Sequence, residues 1–268
     1  MAQPATTSAA SANASEAPIV SLAHVTLSYG DLRALDNVSL ERAPGRAPLC
    51  PWVPTAPGKS TLASVICGLL APDAGEVTLV GEKVFTAGIA DFDAYRRARR
   101  KLGLVFQNPE DQIVTSVVEE DVAFGPENLG LPPERIEHLV RRELHRVAME
   151  RYAKADPARL SGGQRQRVTI AGALAMEPRV LVLDEPSSSL DVRGRRSVMK
   201  VVEKLRGVGC TVVHVTHFMD EALGADRVVV LDHGHVALVG TPQEVFSHVE
   251  EVRSLGLESP SPDASPRS

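Results

Sequence analysis

The sequence predicts an α/β fold, with a buried parallel sheet flanked by helices, an antiparallel β layer ahead of it and a helical insertion within it. Three patterns carry this. Residues 180–183, 211–215 and 227–231 are short β-branched runs of the kind buried on both faces of a parallel sheet. Residues 19–29 alternate apolar and polar side chains, as a half-buried strand does. Ile136, Leu139, Val140, Leu144 and Val147 recur on one helical face. At 268 residues the chain fits one large domain with an insertion better than two domains.

Taken in order, residues 1–17 are mostly Ala, Ser, Thr and Pro and read as a disordered tail. Residues 19–29 and a second apolar run at 38–40 form the β layer. Residues 59–70 read as a buried helix following a loop, and a short apolar strand precedes Phe106. Pro132 and Pro133 open the amphipathic helix, whose Arg141, Arg142, Glu143 and Arg146 are expected on a solvated face. The three β-branched runs complete the sheet. The domain is expected over 18–246, with the helical insertion at about 108–160 and a C-terminal extension at 247–268, disordered from about 258 where Ser-Pro repeats.

A formal charge of −5 and a pI near 5.9 provide no global basic field, so nucleic acid is not an expected partner. Cys50, Cys67 and Cys210 have neither metal-ligand spacing nor a disulfide framework, which fits a reducing compartment. No apolar run approaches the length of a membrane span, and no secretory signal is evident at the N-terminus. A membrane role would therefore come through a partner.

The chemistry lies in two segments. Leu160-Ser161-Gly162-Gly163-Gln164 is a Ser-Gly-Gly turn opening a helix, where backbone N–H groups face outward to an anion. Leu181-Val182-Leu183-Asp184-Glu185-Pro186 is an apolar strand ending in two carboxylates, able to hold a metal and polarise a water. Adjacent at a strand end, Asp184 and Glu185 point apart, so one is free for Mg²⁺ and the other for water. His214 and His217, three residues apart, offer half of a zinc site, but no Cys or carboxylate is expected to complete it.

Gly58-Lys59-Ser60-Thr61 is the closing half of G-x-x-x-x-G-K-[ST], in which backbone amides wrap phosphates, Lys reaches the β and γ groups and the hydroxyl holds Mg²⁺. The opening half departs from the pattern. Val53 stands where the pattern needs Gly, and Cβ is penalised in such a turn. Pro57 has no N–H to offer and pushes Ala56 toward extended geometry. One lost amide is worth about 1.5–3 kcal/mol, or roughly ten- to a hundredfold in affinity. Prolines through residues 44–57 also interrupt the strand expected there. The stretch resembles a Gly-Glu-Arg-Leu-Cys segment and a Gly-Pro-Asn-Gly-Ser-Gly loop read out of frame, resolving at Gly58.

Lys59, Phe106-Gln107-Asn108-Pro109, the Ser161 turn, Asp184-Glu185, Leu190-Asp191 and His217 occur in the order found in ATP-binding cassette (ABC) ATPases, which are P-loop NTPases. The chain resembles that family. Residues 106–113, Phe-Gln-Asn-Pro-Glu-Asp-Gln-Ile, and 122–131, Val-Ala-Phe-Gly-Pro-Glu-Asn-Leu-Gly-Leu, resemble in particular the ATPase subunits of energy-coupling-factor transporters, which include cobalt and vitamin importers. The likeness runs from about residue 19 to 246 and breaks at 44–57, where cassettes commonly have a further Gly at the position of Ala56.

The resemblance implies a site binding ATP and Mg²⁺. Tyr29 stacks on adenine; Gly58, Lys59, Ser60 and Thr61 take the phosphates; Ser60, Gln107 and Asp184 serve the metal. Glu185 is the general base, and His217 is the switch histidine at the γ-phosphate. Ser161, Gly162, Gly163 and Gln164, with Asp191 of the D-loop, face the nucleotide of a second cassette, so a monomer hydrolyses poorly. The implied partners are a second ABC ATPase subunit, favoured as a heterodimer, with a transmembrane energy-coupling subunit and a substrate-binding membrane subunit. The expected place is the cytoplasmic face of the membrane. The alternative is a nucleotide-poor structural or regulatory cassette whose signature completes a partner's site. A cassette acting on ribosomes or DNA would bring tandem cassettes or a long coiled-coil insertion, and neither is found in the sequence.

Overall fold

The computed structural model describes residues 17–43, 49–52, 58–205 and 209–247. The expectations for the two tails, and those for Val53, Ala56 and Pro57, lie outside the described residues apart from the innermost tail positions. Two sheets form. The first is antiparallel: β1 (Val20–Tyr29), β2 (Leu32–Arg42), β4 (Ala74–Leu79), β5 (Glu82–Thr86) and β6 (Ile89–Ala90), in the order β2-β1-β4-β5-β6. The second is β11-β10-β3-β9-β8-β7, built from β3 (Leu49–Trp52), β7 (Leu102–Val105), β8 (Val180–Asp184), β9 (Thr211–Val215), β10 (Arg227–Asp232) and β11 (His235–Gly240). All its pairings are parallel except β10 with β11.

The central strand β3 corrects the expectation that proline breaks this segment. Four Cα pairs tie it to β10, Pro51 lying opposite Val229, but only Leu49–Val213 ties it to β9. Tertiary context overrides strand propensity here, and the weak side of the pairing suits a residue with no N–H for the ladder.

The sheet is buried on both faces. Val180 and Val182 point into the core shared with α1 (Lys59–Ile66), α2 (Phe92–Arg99) and the β layer. Leu181 and Leu183 point the other way, into a core with α3 (Val118–Asn128), α4 (Pro133–Arg146), α5 (Gly162–Ala175) and α6 (Val192–Lys204). This is the strand alternation expected of continuous apolar runs. Helix α1 stops four residues before the expected end because Gly68 turns left-handed, at φ 66°, after the Cys67 cap. Two short helices follow, α7 (Met219–Ala222) and α8 (Pro242–Ser247).

The basic residues of α4 are not simply solvated, as expected from sequence. Glu143 is fully buried between Arg142 Nε, at 2.6 Å, and Arg146 Nη1, while Arg142 and Arg135 both reach Glu177. Among the described residues, no helix is long and apolar enough to cross a membrane.

Candidate ATP site

The parallel strands β8 and β9 end side by side, Asp184 opposite Val215, and deliver the two carboxylates and His217 to one edge of the sheet. Helix α1 begins at the same edge. Gly58 precedes it at φ 131°, and a Cβ there would sit 2.5 Å from the Ala34 carbonyl oxygen, so only glycine fits. No acidic residue occupies the first turn of α1, leaving its amides and dipole favourable to an anion.

Lys59 Nζ lies 2.5 Å from Glu185 Oε1, and His217 Nδ1 lies 2.9 Å from Glu185 Oε2. A carboxylate only accepts, so Nδ1–H is the donor. Glu185 is buried and left-handed, at φ 46°, with its N–H on the Val215 carbonyl at 2.9 Å. Ser60 hydrogen-bonds Asp184, whose Oδ1 is buried with no partner. Burial raises the Asp184 carboxyl and the nearby Glu185 charge adds to this, against the Ser60 hydrogen bond and the Lys59 charge. An unsatisfied buried carboxylate oxygen beside a hydroxyl is a hard oxygen donor set, and it suits Mg²⁺.

Thr61 is buried one residue further along α1. Tyr29 closes β1 with its ring half exposed, open to stacking. Gln107 is exposed in the loop after β7. That loop is held by Gln112, part of the 106–113 run but assigned no role from sequence, and by Gln166: Gln112 accepts from Phe106 N–H and donates to the Leu104 carbonyl, both at 3.1 Å, and buried Gln166 donates to the Phe106 carbonyl at 3.0 Å. Spacing does not mark Gln166, because its contact is made only once α5 packs on the loop, whereas the Gln112 bonds close within residues 104–112.

The Ser161 turn caps α5 reciprocally. Ser161 Oγ accepts from Gln164 N–H at 3.4 Å, and Gln164 Oε1 accepts from Ser161 N–H at 2.8 Å. This leaves the amides of Gly162 and Gly163 in the first turn. A Cβ on Gly163 would meet Gly194 Cα at 2.8 Å, so the turn presses on the start of α6. Asp191 caps that helix, accepting from Gly194 N–H at 2.7 Å.

His214 and His217 do not form a zinc pair. His217 faces Glu185, whereas His214 Nε2 is 3.2 Å from Glu221 Oε2, poorly aligned as a hydrogen bond, and no metal-ligand cluster occurs among the described residues. Glu221 is a carboxylate the sequence reading passed over. Burial pushes its carboxyl up, but His214 and the Ser187 and Thr216 hydroxyls pull it down to about 2.

A family model described as "ABC transporter" matches residues 54–188, starting inside the irregular stretch. The chain belongs to the ABC transporter family. A putative ABC transporter ATP-binding protein BL0043 of Bifidobacterium longum is 51% identical over 247 residues, covering 89% of this chain but only 31% of that protein, so the chain spans about a third of that relative's length. The energy-coupling factor transporter ATP-binding protein EcfA1 of Symbiobacterium thermophilum is 50% identical over 228 residues, 85% of this chain and 77% of its own. Among solved structures, cbiO1 of Clostridium perfringens, part of an ABC transporter complex cbiONQ, superposes with a TM-score of 0.77 at 33% identity, covering 91% of this chain and 96% of its own. The cassette MJ0796, in a dimeric post-hydrolysis state with ADP and Pi, gives 0.72 at 32% identity, covering 83% and 98%. The chain is an ABC ATPase of the energy-coupling-factor type.

Proposed function

We propose that this chain binds ATP with Mg²⁺ and hydrolyses it as one of two paired cassettes at the cytoplasmic membrane face. Its work drives uptake of a vitamin or transition-metal ion through a transmembrane energy-coupling subunit and a substrate-binding membrane subunit. The observation that carries the reading is the convergence of Lys59, Ser60, Asp184, Glu185 and His217 on one sheet edge.

In this reading the α1 amides and Lys59 take the phosphates, and Tyr29 takes the adenine. An entering triphosphate competes with Glu185 for Lys59, so binding frees Glu185 Oε1 to accept the proton of the attacking water while Oε2 stays on His217. Mg²⁺ held by Asp184, Ser60 and Gln107 would neutralise phosphate charge. Ser161, Gly162 and Gly163, with Asp191 beside them, serve the nucleotide on the second cassette. A groove of about 340 Å³ beside the Gln107 loop, lined in part by Val114, Phe124 and Met176, is the face for the transmembrane subunit. The exposed Val114 and Phe124 support that docking.

The pair is proposed as a heterodimer, because Val53 and Pro57 weaken this chain's own phosphate loop while its signature turn is intact. The same departure favours a second reading, a cassette that completes its partner's site and binds nucleotide poorly itself. Titration of the isolated full chain with ATP and Mg²⁺ separates them. Binding that is lost in Lys59→Ala supports hydrolysis at this chain's own site; no saturable binding at millimolar ATP supports the second reading.

A further inference from the structure

The ladder between β8 and β9 ends at Asp184 and Val215, one residue before Glu185 and two before His217. Past that point one backbone bond, Glu185 N–H to the Val215 carbonyl at 2.9 Å, still holds Glu185 to β9, but the ladder does not reach His217, and Glu185 sits in a left-handed conformation that a non-glycine residue holds only when its surroundings enforce it. The Glu185–His217 contact at 2.9 Å therefore needs a further constraint on the two strand ends.

The buried carboxylate of Glu221 on α7 supplies one. Its Oε1 accepts from Ser187 Oγ, two residues beyond Glu185, and from Arg195 Nε of α6 at 2.9 Å. Its Oε2 accepts from Thr216 Oγ1, next to His217, at 2.7 Å. Thr216 Oγ1 in turn accepts from Phe218 N–H at 3.0 Å, fixing the turn after His217. Arg195 also pairs with Asp220 and lies over the Phe218 ring at 3.6 Å, and that ring is 4.0 Å from His217's. Ser187, Thr216 and Glu221 are all nearly inaccessible, so water does not substitute for these bonds. One side chain thus ties the segment after Glu185, the segment carrying His217 and the helix that follows Asp191.

We infer that Glu221 is a positioning residue for ATP hydrolysis, holding Glu185 and His217 in register while touching neither nucleotide nor water. The inference rests on the proposed hydrolysis at this chain's own site. None of its contacts involves Lys59, Ser60 or Tyr29, so the effect belongs in kcat and not in KM. A glutamine retains bonds to both rotatable hydroxyls but loses the charge facing Arg195; alanine loses all of them.

The experiment uses the full chain purified with its second cassette and membrane partners. The turnover lost in Glu185→Gln defines this chain's share. Against that share, Glu221→Gln is expected to lower kcat about tenfold and Glu221→Ala about a hundredfold, with KM for ATP within about twofold in both. Hydrogen–deuterium exchange without nucleotide is expected to quicken over 185–191 and 216–218 in Glu221→Ala, in that order of variants, and to stay unchanged in α1. Unchanged kcat, or faster exchange spread evenly over the whole chain with the fall in kcat tracking loss of folded protein, would overturn the assignment. If Glu185→Gln removes no turnover, own-site hydrolysis fails as a reading, and the exchange comparison alone decides whether Glu221 holds the two segments.

Discussion

The two surfaces proposed to face nucleotide are built in opposite ways. The signature turn is closed locally: Ser161 and Gln164, within one turn of each other, cap each other. The phosphate side is assembled over distance, with Gly58 fitted against Ala34, Lys59 against Glu185 and Ser60 against Asp184. The stretch leading into it then substitutes Val53, Ala56 and Pro57 for residues that would turn freely and donate. A defect in the second surface leaves the first untouched. In a pair of cassettes it falls on one site only, and on affinity before chemistry, because Asp184, Glu185 and His217 keep their geometry.

Glu185→Gln sharpens that distinction most. Removing the proposed base is expected to cut this chain's share of saturating ATP turnover by about 10²–10⁴-fold. ATP binding measured by titration should be unchanged or tighter, since Lys59 loses its internal partner. Weaker binding in this variant would break the separation of affinity from chemistry.

Pro57→Gly acts in the complementary direction. Restoring one amide toward phosphate is expected to tighten ATP binding roughly ten- to a hundredfold in a calorimetric titration, with saturating turnover little changed. Ser161→Ala removes the cap of α5, which is worth about 1 kcal/mol in thermal unfolding. It should slow hydrolysis at the partner's site while leaving this chain's ATP affinity as it was.

The smallest effect is on acid stability. Glu221's carboxyl is held at about 2 against an ordinary 4.5, so folding gains from its ionisation above about 4.5 and loses that gain as pH falls toward 2. The stability gap between the wild-type chain and Glu221→Gln, read from urea midpoints, should be full at pH 6 and narrow steadily below about 4.5.

Much of this was legible in the sequence. The strand runs at 180–183, 211–215 and 227–231 and the Ser161 turn follow from period and composition, which are local. Glu143 and Glu221 were not, because charge pattern alone does not mark a Glu as buried: Glu143 is enclosed by Arg142 and Arg146 of its own helix, and Glu221 by Arg195, Ser187 and Thr216, only in the folded chain. β3 was misjudged for the converse reason: strands on both sides pair with a segment whose own prolines oppose it. Resequencing the gene across codons 44–58 tests the frame-shifted reading of that segment, and a clean read encoding these residues eliminates it.

In the proposed assembly a working site needs the signature turn of one chain and the lysine pocket of another. Phosphate release per chain at saturating ATP, measured for this chain alone over a range of concentrations and again with its second cassette, tests it most directly. Turnover should be slow in dilute solution and rise on pairing by roughly a hundredfold, the scale of supplying preorganised donors to a developing charge. Fast turnover by the dilute single chain, indifferent to concentration and to the added cassette, would contradict the account.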